Sequence, residues 1–190
     1  MIPALLAVLS LAPSSRPSPD YAGIYAKGIP FAQFLDEAKQ LKKDWQANYA
    51  NAVVDDASLA RAKALKGGWR LLVVAEAWCH DSVGTVPYLA KLVDAAPDAL
   101  SMRIVSKAAG LRAMEAHKTP DGRAATPTII VIDAAGEVKG AIAERPSALW
   151  DYSKEHSGRG DRRRWYDADQ GLHAVGEILD MIAPRNLSPR

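Results

Sequence analysis

The chain has 190 residues, 48% of them hydrophobic and 24% charged, and a formal net charge of +2. This is the composition of an ordinary globular chain, long enough to bury one core without covalent staples. The charge is too small to argue for nucleic acid as a partner. One cysteine, Cys79, excludes both an intramolecular disulfide and a cysteine cage for a metal. Any disulfide must join the chain to a partner, a small thiol or a second copy of itself, and the oligomeric state is not legible from the sequence.

Residues 2–12 form an apolar run too short to span a bilayer. No Lys or Arg precedes it, and Pro13 follows the loose small-x-small pattern Ser10-Leu11-Ala12, a poor place for cleavage. Residues 1–20, stiffened by Pro13, Pro17 and Pro19, are read as an arm on a cytoplasmic protein. The alternative is a leader over residues 1–12 and an exported chain. A single domain is expected over 21–184, with a short tail at 185–190.

Phe31, Phe34, Leu35, Ala38, Leu41, Trp45 and Tyr49 recur at helical spacing and predict one face of a long amphipathic helix. Residues 55–66 predict a second helix, capped by Asp55, Asp56 or Ser58 and ended by Gly67-Gly68. Residues 69–77 hold a continuous apolar run that fits a strand buried on both faces. Val83, Val86, Leu89, Ala90 and Val93 then restore the helical period around Pro87, which should kink that helix. A strand over 101–105, a helix over 108–117 and a loop over 119–125 follow. Residues 128–132 are a β-branched strand, and a turn at Ala134-Ala135-Gly136 leads to an antiparallel partner over 138–143. Residues beyond Pro146 read as polar surface. Arginines 159 and 162–164 with Trp165 read as a solvated basic face rather than a phosphate or RNA patch. A final helix is expected over 167–182. Strands joined through a helix should be parallel by a right-handed crossover, with the hairpin adding an antiparallel edge.

The chemistry concentrates at Trp78-Cys79-His80-Asp81-Ser82, between a buried strand and a helix. A cysteine at a helix start faces unsatisfied backbone N–H groups and the positive end of the helix dipole. Both favour the thiolate, which is the nucleophile. A protonated His80 would add to this and Asp81 would oppose it. No histidine spacing suggests a metal site, and there is no glycine-rich phosphate loop or nucleophile elbow around Ser82.

These residues resemble the thioredoxin family: Trp78-Cys79 in the active-site slot, Pro87 eight residues after the cysteine, and Thr126-Pro127 before the next-to-last strand. The resemblance covers about residues 69–143 and the final helix. It implies an α/β thioredoxin-like three-layer fold, a central mixed sheet with flanking helices and here an N-terminal helical extension. It also implies that Cys79 is the exposed nucleophile and that Pro127 is cis, with the backbone before it pairing with an extended substrate. The Trp-Cys-x-Asp-Ser form looks most like a bacterial subgroup in which the second cysteine is often missing. Ser82 stands in the resolving cysteine's place, and Val73 stands where the family keeps a buried acid six residues before the nucleophile. Such a protein should stall as a mixed disulfide until another thiol frees it.

The expectation is therefore a monothiol redox protein acting on protein or small-molecule disulfides. It needs no cofactor, and glutathione or another small thiol serves as co-substrate. A non-catalytic peptide-binding module on the same scaffold is the alternative. Several roles stay open: Cys79 as nucleophile or inert buried thiol, Trp78 as lid or packing, and His80 as thiolate partner or solvated polar group. Asp81 is also read as a first-turn dipole partner, and Ser82 as a donor to Cys79, a cap or a passive residue. Pro127 is structural in either reading.

Overall fold

The computed structural model describes residues 17–158 and 160–183. The arm or leader over 1–12, Arg159 and the tail at 185–190 lie outside the described residues. Four helices come first: α1 (Tyr21–Ala26), α2 (Phe31–Glu37), α3 (Lys42–Asn51) and α4 (Asp56–Ala64). Then come β1 (Trp69–Val74), α5 (His80–Ala95), β2 (Leu100–Val105), α6 (Lys107–Ala116), β3 (Thr128–Ile132) and β4 (Val138–Ala143). Three helices close the order: α7 (Ser147–Glu155), α8 (Asp161–Asp169) and α9 (Leu172–Ile182).

The sheet runs β2-β1-β3-β4. Strand β1 pairs parallel with β2 and antiparallel with β3, and β3 pairs antiparallel with β4. The two-residue period of a strand splits the core into two layers. Leu71 and Val73 of β1 join Ile129 and Val131 of β3 under α5 and α9, while Leu72 and Val74 join Ile130 and Ile132 under α6. This explains why β1 and β3 read as continuous apolar runs: both faces are covered. A single bridge between Ile29 and Ile104 covers the outer edge of β2, where unpaired backbone would otherwise be exposed. Among the described residues no helix is long and apolar enough to cross a membrane.

Four sequence expectations are corrected here. The long first helix is two helices, because Ala38 is extended and Leu41 is left-handed with φ 51°. On one straight helix Phe31 and Trp45 would lie about 21 Å apart. The break folds α3 back, so that Phe31 meets Trp45 at 6.3 Å and Tyr49 at 4.9 Å between ring centres. The strand after α6 is antiparallel to β1 rather than parallel. Residues 117–127, with a turn closed between Thr119 and Arg123, bring the chain round so that β3 enters from the other end.

The region after Pro146 is not plain polar surface but carries α7 and α8. The final helix is interrupted, with Gln170 and Gly171 both left-handed. Gly171 is required there, since φ is +80° and a Cβ would come within 2.3 Å of Tyr88 Cβ.

Helix α5 runs through Pro87. Proline has no N–H to offer the carbonyl four residues back, which is that of Val83. Asn48 of α3 supplies the missing donor, with Nδ2 donating to Val83 O at 2.9 Å.

Candidate functional site

The turn between β1 and α5 holds Trp78 and Cys79. Trp45 Nε1 donates to Ala77 O at 2.9 Å from the α3 side, and the Cys79 N–H donates to Glu76 O at 3.0 Å. Trp78 is left 52% exposed. Cys79 is the N-cap residue of α5, and its carbonyl accepts the Val83 N–H.

The sequence predicted that the sulfur would face the first-turn N–H groups. It makes no capping hydrogen bond. The Cys79 thiol instead donates to the Thr126 carbonyl at 3.2 Å, across 47 residues of chain. This is a bond that a thiol makes and a thiolate does not. The sulfur-bearing residue is 9% exposed.

The opposing segment is held firmly. The Thr126–Pro127 peptide is cis, and both residues are buried. Thr128 Oγ1 donates to Ala125 O at 2.7 Å, and the Glu144 N–H donates to Pro127 O at 2.7 Å. The structure thus brings Cys79 and Thr126-Pro127 together, with Trp78 and His80 exposed beside them.

Asp81 and Ser82 turn inward. Asp81 is buried, and its Oδ2 accepts from Arg162 Nη1 at 2.7 Å. Burial pushes the Asp81 carboxyl above its usual range, and the Arg162 guanidinium pulls against that shift. Ser82 is fully buried, and its hydroxyl meets no partner, Cys79 included. Tyr166 of α8 lies against Asp81 and Thr85, and burial pushes its phenol well above the ordinary value. None of Asp81 Oδ1, Thr85 Oγ1 and Tyr166 OH is in hydrogen-bonding geometry. The Tyr166 ring occupies the space that a Cβ on Gly84 would need, with the nearest ring atom 2.6 Å away.

Two features escaped the sequence reading. Arg162 is not simply part of a solvated basic face, because it carries the only ion pair to Asp81 among the described residues. The other is a charged network behind Pro127. Glu144, buried and left-handed at φ 66°, takes Arg123 at 2.9 Å and Arg145 at 3.0 Å on one carboxylate oxygen. Arg145 lies 4.1 Å over the Trp150 ring. The adjacent pair Glu144-Arg145 before Pro146 was the only signal of it in the sequence, and adjacent charges commonly mark surface. Glu76, three residues before the cysteine, points elsewhere and accepts the Lys107 N–H at 2.7 Å. Val73, in the place of the family's acid, is fully buried in β1.

A family model described as Thioredoxin matches residues 28–157. No curated protein matches the chain. Among solved structures, the chain is similar to a protein of unknown function from Pseudomonas aeruginosa, with 25% identity and a TM-score of 0.69 over 88% of this chain and 98% of that one. It is also similar to an HIV epitope-scaffold, with 25% identity and a TM-score of 0.68 over 85% of this chain and 96% of that one.

Proposed function

The chain belongs to the thioredoxin family, and on that premise we propose that Cys79 carries out monothiol thiol–disulfide exchange. The observation that carries this reading is the Cys79 sulfur lying 3.2 Å from the Thr126 carbonyl, at the start of α5, with a buried serine one turn on.

The chemistry has two steps. Cys79 gives up its bond to Thr126, loses its proton to solvent and attacks a disulfide R–S–S–R′. A Cys79–S–S–R bond forms, and R′–S⁻ leaves and takes up a proton. Ser82 has no sulfur with which to displace R. A second molecule, R″–SH, must therefore attack the adduct, giving back the Cys79 thiol and releasing R–S–S–R″. Glutathione or another small thiol fills that role as co-substrate, with protein or small-molecule disulfides as the other partner, and no bound cofactor takes part. The exposed Trp78 ring and the backbone at Thr126 form the shelf on which the disulfide lies.

A second reading rests on a specific observation. The Cys79 thiol is buried and already engaged as a donor, which also suits a passive thiol in a peptide-binding groove. Treating the folded protein with hydroxyethyl disulfide and following its intact mass separates the two. Exchange predicts one adduct per chain on Cys79, reversed by added thiol and absent in Cys79→Ser. Modification that occurs only on unfolding would replace exchange with the binding reading.

A further inference from the structure

The first turn of α5 opens onto a cleft of about 480 Å³ between α3 and α8. That is within the size range of small-molecule sites. His80, one peptide bond from Cys79, lines it. Its inner wall is Asp81 and Tyr166, both buried.

The charges around it are unevenly committed. Asp81 and Arg162 neutralise each other at 2.7 Å. Arg163 does not have such a partner. Its nearest carboxylate, Asp167, is 3.9 Å away, and the Arg163 side chain is 79% exposed. That separation is too long for a charge-assisted hydrogen bond and contributes little. Asp44, in the first turn of α3, has no ion pair among the described residues. The mouth therefore offers one loosely held cation, Arg163, and two carboxylates, Asp167 from the same helix α8 and Asp44 from α3. A purely anionic ligand would face the carboxylates, and a purely cationic one would face Arg163. The match is a group that carries an ammonium and a carboxylate together. The backbone of an internal stretch of polypeptide has neither, whereas a free amino-acid-like thiol has both on one carbon.

We propose that this cleft seats the zwitterionic end of the low-molecular-weight thiol that resolves the Cys79 adduct, with the carboxylate on Arg163 and the ammonium on Asp44 and Asp167. The inference rests on the exchange reading above and assigns its second substrate. The seated thiol presents its sulfur past His80 to the Cys79–S–S–R bond. Cys79 leaves as a thiol, R–S–S–R″ forms, and no further oxidant or reductant is needed.

The test uses the full chain loaded at Cys79 with hydroxyethyl disulfide, which leaves an uncharged adduct. Recovery of free Cys79 is followed by mass spectrometry after adding glutathione, cysteine or 2-mercaptoethanol at equal thiolate concentration and low salt. The two zwitterionic thiols should act about tenfold faster than the neutral one, the scale of one charge-assisted contact. Arg163→Gln and Asp44→Asn, both surface changes, should each remove most of that preference while leaving the rate with 2-mercaptoethanol unchanged, and added salt should erode it. Equal rates for all three thiols overturn the cleft assignment while leaving exchange standing. So does a preference that survives both substitutions, or release by a protein dithiol alone. Failure of Cys79 to load on the folded protein overturns both readings.

Discussion

The Cys79 thiol and the Thr126 carbonyl are 3.2 Å apart, and this one contact joins the start of α5 to the segment that leads into β3. A serine hydroxyl can make the same bond. Cys79→Ser should therefore fold with a stability change of about 1 kcal/mol or less, measured by denaturant titration, while losing all adduct formation. A collapse of the fold would show that sulfur packing matters more than the hydrogen bond.

Ser82 tests the missing second step. Its hydroxyl is buried without a partner, and an unsatisfied buried group costs about 1–3 kcal/mol. Ser82→Ala should raise stability by roughly 1 kcal/mol. Ser82→Cys should place a second thiol one helical turn from the first. The adduct on Cys79 should then release itself and no longer accumulate in the mass spectrum. Persistent adduct in Ser82→Cys would mean that the two side chains cannot meet.

Asp81 gives a pH dependence whose sign follows from its burial. Its folded carboxyl is raised above the ordinary value of 3.8 by burial. The folded state therefore holds the proton more tightly than the unfolded state, and stability falls as pH rises from 3.8 through the folded value. Asp81→Asn lacks this titration. The stability of the parent relative to Asp81→Asn should decrease between pH 4 and neutrality, read as the difference in unfolding free energy at each pH. A flat or rising difference would mean that Arg162 outweighs burial.

The Tyr166 ring fills the notch over Gly84. A Cβ there cannot be accommodated without moving α8, so Gly84→Ala should destabilise by about 1–3 kcal/mol. Tyr166→Leu in the same chain should recover part of that loss, since the clashing ring is gone. Additive costs in the double variant would show that the two residues do not press on each other.

Asn48 and Pro87 make a closed cycle. Asn48→Ala strands the Val83 carbonyl inside the protein at a cost of about 1–3 kcal/mol. Pro87→Ala restores the backbone N–H that would bond that carbonyl, so the same Asn48→Ala change should cost much less in the Pro87→Ala background. Thermal unfolding of the four proteins gives the coupling. Equal costs in both backgrounds would show that Asn48 acts elsewhere.

How much of this was legible in the chain follows from the range of the interactions. The runs at 71–74 and 128–132 fall in strands, because burial on both faces leaves a local mark that needs no knowledge of the partner. The helix after Cys79 was readable from its own apolar period, whereas the slots of Trp78, Cys79, Pro87 and Thr126-Pro127 came from the family resemblance. The break between α2 and α3 was not. Its cause is an aromatic cluster that forms only when Phe31, Trp45 and Tyr49 converge, and the periodicity of those residues is the same in one helix or two. The antiparallel entry of β3 depended on the path of a loop, which carries no periodicity.

At the site, composition alone determined that the chain holds one thiol without a second, and that any disulfide would be intermolecular. The tertiary structure decided what the thiol faces. A carbonyl 47 residues away accepts the hydrogen bond of the thiol, Arg162 from α8 reaches Asp81, and Glu144 gathers Arg123 and Arg145 behind Pro127. Local sequence records which groups are buried by their neighbours in the chain. It does not record which polar group, brought in by the fold from a distant segment, will satisfy a given atom, because that choice depends on position in space and not on order along the backbone.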